Sequence, residues 1–164
     1  MSTPTRTLFG TDGVRGRVGD KLTTELALSI GRAGTESLRR AKAIERPRVL
    51  IIRDTRESGP MLEAALAAGI AESGGEVYLG GVLPTPAAAL ISGHHGFDLA
   101  AVVSASHNPF YDNGIKLFGG DGGKLDDETE AGVEALIHEP PAPASEPGRI
   151  VELSGAEQDY LRAL

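Results

Sequence analysis

Residues 48–82 read Arg48-Val-Leu-Ile-Ile-Arg53-Asp-Thr-Arg-Glu-Ser58-Gly-Pro60-Met-Leu-Glu-Ala-Ala-Leu-Ala-Ala-Gly-Ile70-Ala-Glu-Ser73-Gly74-Gly75-Glu76-Val-Tyr-Leu-Gly-Gly-Val82. The unbroken aliphatic run between Arg48 and Arg53 predicts a strand buried on both faces. A helix is expected from Ser58 to Ser73, with Ser58 as cap, Pro60 in the first turn and Gly74-Gly75 as the stop. Its apolar stripe is Leu62, Leu66, Gly69 and Ile70. Glu76 to Val82 then reads as a second strand. Strand, helix and strand in this order make a βαβ unit, whose natural setting is a mostly parallel sheet covered on both faces.

The same alternation extends in both directions. Upstream, after a Gly-punctuated opening from Leu8 to Gly19, Thr23 to Arg40 spaces Leu26, Ile30, Ala33 and Leu38 at helical intervals, and Thr23 is a fitting N-cap. Pro47 breaks the chain before the first strand. Downstream, Thr85-Pro86 opens a short Ala-rich helix through Ile91. Phe97 to Val103 and Gly114 to Phe118 read as strands, and Asp126 caps a helix to about His138. The stretch Pro140 to Pro147 carries four prolines and reads as a linker or domain edge. Beyond it Ser154-Gly-Ala-Glu157 forms a capping box that leads into Tyr160, Leu161 and Leu164. That helix stops without a C-cap, so the chain is expected to be the first domain of a longer protein. Residues 1–148 would form an α/β domain, and 149–164 a linker and the start of the element leading to a missing second domain.

Length and composition bound the function. The chain's 164 residues suit one domain, and 40% hydrophobic with 24% charged residues is ordinary globular composition. With 16 basic against 23 acidic side chains the net charge is −7, which argues against a nucleic-acid surface. Cysteine is absent, so disulfides, thiolate nucleophiles and Cys-ligated metals are excluded together. No stretch approaches the roughly 20 apolar residues of a membrane span, and Met1 to Thr7 lacks the apolar core of a signal peptide. A soluble, cytoplasmic domain without a membrane partner is expected.

Chemistry is most concentrated in Ser104-Ala-Ser106-His107-Asn108-Pro109-Phe-Tyr-Asp112-Asn113-Gly114-Ile-Lys116. This loop leaves the C-terminal end of an expected parallel strand, where open α/β sheets bind ligands. The same residue types also populate ordinary turns. A Ser-His-Asp hydrolase is disfavoured, since Ser106 and His107 are chain neighbours and the G-x-S-x-G elbow is absent. Phe9-Gly10-Thr11-Asp12-Gly13-Val14-Arg15-Gly16 offers glycines for close backbone approach to an anion and an arginine fork for phosphate; otherwise it is a Gly-rich turn. Arg53 to Gly59 joins a strand to a helix N-terminus, an anion-friendly place, but reads better as a salt-bridged capped turn. His94-His95 lacks further ligands at metal-binding spacing and is read as surface. Gly119 to Gly123 is read as a turn.

Taken in order, Phe9–Gly16, Asp54-Thr-Arg-Glu-Ser-Gly59, Leu83-Pro-Thr-Pro86 and Ser104–Lys116 resemble the α-D-phosphohexomutases, and the first and last are most similar to the bacterial phosphoglucosamine mutase branch. The resemblance implies a three-layer α/β/α sandwich with a mostly parallel mixed sheet, the first of four domains. It implies interconversion of glucosamine 6-phosphate and glucosamine 1-phosphate on the route to cell-wall precursors, through a phosphoserine and a bisphosphorylated sugar. Phosphomannomutase/phosphoglucomutase specificity, or a non-catalytic sugar-phosphate-binding or interaction domain, are the alternatives. By resemblance Ser106 carries the phosphoryl group, which would also ligate Mg²⁺. Arg15 would steady the phosphoryl oxygens, His107 would orient the group, and Lys116 would donate or accept a proton. The remaining metal ligands, the sugar-selecting loop and the phosphate clamp would lie in the missing domains of the same enzyme. A homodimer stays open.

Overall fold

The computed structural model describes residues 7–164; Met1 to Arg6, most of the stretch in which no signal-peptide core is read, lie outside the described residues. Among the described residues six strands form one sheet in the order β1-β5-β4-β2-β3-β6. β2 (Arg48–Arg53), β3 (Glu76–Val82), β4 (Leu99–Val103) and β6 (Ile150–Glu152) run parallel to their neighbours in this set. β5 (Asp112–Gly119) is antiparallel to both β4 and β1 (Val14–Arg17), so it alone reverses direction. The expected mostly parallel mixed sheet is what the chain forms.

Alternation along the strands sorts side chains into two cores. Val49, Ile51, Val77, Ala101 and Val103 face one side and pack under α1 (Thr24–Lys42), α2 (Gly59–Glu72) and α4 (Asp127–His138). Leu50, Ile52, Ala100 and Val102 face the other side, covered by α3 (Pro86–His95) and α5 (Ala156–Ala163). Helices on both faces of the sheet make the three layers. α1 and α2 cross with their backbones nearly touching: a Cβ added to Gly69 would lie 2.1 Å from the Leu28 carbonyl oxygen, and one on Gly31 would lie 2.4 Å from that of Leu66. Gly69, expected in the apolar stripe, is there because only a hydrogen fits.

Caps at two helices follow expectation. Thr23 Oγ1 accepts from Leu26 N at 3.1 Å, and the Asp126 carboxylate accepts from Thr129 N at 2.7 Å; hydrogen bonding to the Thr129 side chain first, and to its backbone second, lowers the Asp126 pKa. Two others do not. Ser58 has helical φ and ψ and no capping bond; its hydroxyl accepts from Asn113 Nδ2 at 2.9 Å instead. Ser154 does not cap α5, whose N-cap is Gly155 in the left-handed region at φ 82°. α3 runs past Ile91 to His95, and the third expected strand starts at Leu99 rather than Phe97.

Residues 149–164, expected as linker and outgoing element, include a strand of the same sheet. Ile150 to Glu152 pair with Val77 to Leu79, and Ala156 is buried in the second core. His95 is not a bare surface residue: its Nε2 meets Asp159 Oδ2 at 2.9 Å, tying α3 to α5. That hydrogen bond is the main cause of a lowered Asp159 pKa.

Candidate active site

β2 and β4 are adjacent parallel strands, so the segments that leave their C-terminal ends emerge side by side. One is Asp54–Ser58, the other Ser104–Tyr111. Ser104 is buried beneath the second loop, where its Oγ donates to Asp54 Oδ2 at 2.7 Å and accepts from Ser106 N at 3.1 Å. Ser106 is exposed and has φ 55°, the left-handed conformation that costs a non-glycine residue about 1–2 kcal/mol. Its Oγ lies 3.2 Å from His107 Nδ1. The two serines therefore divide the work: Ser104 holds the loop, and Ser106 presents an oxygen to solvent.

Arg15 projects from β1 beside this loop. Its Nη1 donates to Asn108 Oδ1 at 3.2 Å, and Asp12 lies 3.8 Å from its Nη2. Close packing of β1, β5 and β4 makes this reach possible, because a Cβ on Gly114 would stand 2.7 Å from the Ser104 carbonyl oxygen. Asn113, fully buried, accepts from Gly114 N at 2.8 Å and braces the loop's exit against the start of α2 through Ser58.

The glycine turn preceding Arg15 lies lower on the sheet. Gly10 bonds to Gly13, and Gly13 packs on the Ile115 and Lys116 backbone with φ 80°. Entry to this turn is fixed by Glu134 of α4. Its Oε1 accepts from Leu8 N and Phe9 N at 2.7 Å each, and its Oε2 accepts from Thr7 N at 2.7 Å and Thr7 Oγ1 at 3.2 Å. Burial works to raise the Glu134 pKa, but these hydrogen bonds outweigh it and hold the group lowered.

Lys116 is placed apart from Ser106. It sits on β5 opposite Val102, whereas Ser104 N bonds to Gly114 O, so Lys116 lies two residues, roughly 7 Å, further down the strand. Half-buried, it lines a cleft with Thr11, Asp12, Gly13, Lys124 and Glu130. The structure thus gathers Arg15, Ser106 and His107 at one rim, with Lys116 one level below.

Sequence reasoning missed Arg56. Its side chain is only 11% exposed, and its guanidinium donates to the carbonyls of Ser106, Asn108, Pro109 and Asp112 at 2.7–3.1 Å. The expected salt-bridged turn exists, with Arg56 Nε 3.2 Å from Asp54 Oδ2, but most of the arginine's bonds go to the neighbouring loop. A charged side chain of opposite sign two residues after Asp54, at a strand's C-terminal end, was the available signal.

The pinned serine loop and the arginine beside it lie at the C-terminal edge of the parallel strands of a three-layer α/β domain, the edge at which open α/β sheets bind ligands. Residues 6–143 match the family described as phosphoglucomutase/phosphomannomutase, alpha/beta/alpha domain I, and the chain belongs to that family. It is 48% identical over 160 residues to the phosphoglucosamine mutase of Mycolicibacterium vanbaalenii, covering 94% of this chain and 36% of that protein. Against the phosphoglucosamine mutase of Syntrophomonas wolfei it is 49% identical over 159 residues, covering 94% and 35%. A crystal structure of a phosphoglucomutase/phosphomannomutase family protein from Burkholderia thailandensis superposes with a TM-score of 0.79 at 30% identity, covering 92% of this chain and 34% of that one. The chain therefore spans little more than a third of the length of the curated relatives it matches.

Proposed function

We propose that the chain is the phosphoserine-bearing N-terminal domain of a phosphosugar mutase, an isomerase that interconverts glucosamine 6-phosphate and glucosamine 1-phosphate for cell-wall precursor synthesis. The observation that carries this reading is the Ser106 loop, pinned through its backbone and exposed at its hydroxyl, within a chain about half identical to phosphoglucosamine mutases. The unit that carries the loop includes β6 (Ile150–Glu152), which pairs with β3, and α5 (Ala156–Ala163), whose Ala156 is buried in the second core. The reading carries a cytoplasmic location with it; among the described residues no helix is long and apolar enough to cross a membrane.

Ser106 Oγ, phosphorylated, gives its phosphoryl group to a sugar hydroxyl. The Oγ–P bond breaks, a sugar O–P bond forms, and the hydroxyl proton passes by way of Lys116 to the departing Ser106 oxygen, leaving a serine hydroxyl. The bisphosphorylated sugar turns end for end and returns its other phosphoryl group to Ser106: a sugar O–P bond breaks, the Oγ–P bond re-forms, and the serine proton passes by way of Lys116 to the released sugar oxygen. Catalysis of this kind rests on positioning and on charge stabilisation. Arg15 supplies a fixed cation at the loop, and His107 Nδ1, 3.2 Å from Oγ, orients the group being transferred.

A metal, expected as Mg²⁺, fits this chain as a partial site. The exposed Ser106 oxygen places a phosphoryl group where ligands from outside the chain can reach it. Among the described residues, the one set of three side chains with metal-ligating atoms close together is His94, His95 and Asp159, where α3 meets α5 and before β4 begins, at the sheet's opposite end. Phosphorylated Ser106 is thus the ligand this domain would offer. A divalent cation bound there would neutralise phosphoryl charge.

The test uses the complete protein with glucosamine, glucose and mannose phosphates. Wild type should turn over glucosamine phosphates best and carry one phosphoryl group on Ser106 by peptide mapping. Ser106→Ala should be inactive, and the 164-residue chain alone should show no turnover. Full activity in Ser106→Ala, or the phosphoryl group on Ser104, would overturn the assignment.

A further inference from the structure

We propose that Arg56 sets the conformation of the Ser106 loop and is thereby a positioning residue for phosphoryl transfer; the second part rests on the mutase reading above. A guanidinium has five N–H donors in a rigid planar fork, and here every one is engaged. Nη1 donates to Pro109 O at 2.7 Å and Asp112 O at 3.1 Å, Nη2 to Ser106 O at 2.8 Å and Asn108 O at 2.9 Å, and Nε to Asp54 Oδ2 at 3.2 Å. Four carbonyls of one seven-residue stretch, 106–112, are turned inward onto a single side chain.

These bonds close a circuit around Ser106. Its N–H donates to Ser104 Oγ, Ser104 Oγ donates to Asp54, Asp54 accepts from Arg56, and Arg56 donates back to the Ser106 carbonyl. Both peptide groups flanking the Ser106 Cα are held, which is what a serine at φ 55° requires to stay in the left-handed region. The hydroxyl is left outward beside His107. Arg56 spends its donors on carbonyls and on Asp54, so it acts through the loop and does not touch the transferred group. Lysine cannot substitute: it is a point charge with three donors on one atom, and it cannot span four carbonyls in a plane.

The experiment compares Arg56→Lys and Arg56→Ala in the complete enzyme with wild type. Amide hydrogen exchange is read in residues 104–112, with β2 and α1 as internal fold controls. Exchange in the loop should rise roughly tenfold or more, since hydrogen bonds to a charged group are among the strong ones, while β2 and α1 stay protected. Turnover per phosphorylated Ser106 should fall by roughly 10²-fold with KM little changed, the signature of misplacement rather than lost binding. Added guanidinium ion should restore both loop protection and turnover to Arg56→Ala. Unchanged loop exchange in both variants overturns the assignment, whatever reaction the enzyme catalyses. A loosened loop with unchanged turnover overturns the positioning role. Absence of phosphate on wild-type Ser106 would sink the mutase reading alone, leaving loop exchange to judge Arg56.

Discussion

The Ser104 hydroxyl and the Asp54 carboxylate meet at 2.7 Å beneath the exposed loop, and this contact joins two strands that are adjacent in the sheet and about 50 residues apart in the chain. Ser104 is the less conspicuous of two nearby serines, yet it is the one the fold depends on. Ser104→Ala removes the acceptor for Ser106 N and the donor to Asp54 in a buried place. Loss of about 1–3 kcal/mol of stability is expected, the cost of leaving buried polar groups unpaired. Urea denaturation of the variant checks it. The phosphoryl group should still map to Ser106, with turnover reduced rather than abolished. Unaltered stability would show that water replaces the hydroxyl without loss.

Glu134 makes the stability of the domain pH-dependent. Its pKa is lower in the folded chain than the ordinary Glu value of roughly 4.3, because Thr7, Leu8 and Phe9 donate to the charged form. A lowered folded pKa contributes stability that is fully present above the unfolded value and is lost as pH falls through the folded one. Thermal melting should therefore decline as pH drops below about 4.3. In Glu134→Gln that part of the decline should vanish and stability at neutral pH should fall by about 1–3 kcal/mol, since the amide nitrogen faces donors it cannot accept from. An acid slope identical in variant and wild type would assign the effect to other carboxylates.

The α1–α2 contact offers a test of packing with opposite signs at two glycines. Gly69→Ala puts a methyl 2.1 Å from the Leu28 carbonyl oxygen and must push the helices apart, at a cost of at least the roughly 1–3 kcal/mol typical of overpacking. Gly132 lies inside α4 with nothing within 4 Å of an added Cβ. There alanine should stabilise by up to about 1 kcal/mol through helix propensity alone. Matched midpoints in denaturant for the two variants would refute the close-contact account.

Elements with strong local signals were legible in the sequence: β2 lies within the stated bounds, and Thr23 and Asp126 cap as their positions suggest. What escaped depends on partners distant in the chain. β1, Val14-Arg-Gly-Arg17, has one apolar residue, and its strand character comes from pairing with β5. β6 is three residues behind a proline-rich stretch and exists by pairing with β3. Asp112-Asn113 read as turn residues, yet they open β5, because the buried Asn113 amide is satisfied by Ser58 and its own neighbour. At the candidate site, the motifs named Ser106, His107 and Arg15, which the structure brings together, whereas the hold of Arg56 on four carbonyls is a tertiary fact whose sole local signal was an opposite charge two residues after Asp54.

Lys116 carries the most specific remaining prediction. Its backbone is fixed by β5, with Ile115 and Leu117 buried on either side, so a change of side chain should leave the fold intact. In the proposed mechanism Lys116 exchanges a proton with the sugar hydroxyl, which arginine cannot do at neutral pH because it stays charged. Lys116→Arg in the complete enzyme should lower turnover by about 10² to 10⁴, the usual worth of a general acid or base. Phosphorylation of Ser106 and affinity for substrate must be shown unchanged in the same variant, since the longer side chain also alters the cleft shared with Asp12 and Lys124. Its position one level below Ser106 adds a second readout. A group that reaches the sugar rather than the phosphoryl oxygens should affect the transfer step in single-turnover measurements and leave the stability of the phosphoserine to hydrolysis alone. Near-wild-type turnover in Lys116→Arg would remove the proton-transfer role and leave Lys116 as a fixed positive charge beneath the loop.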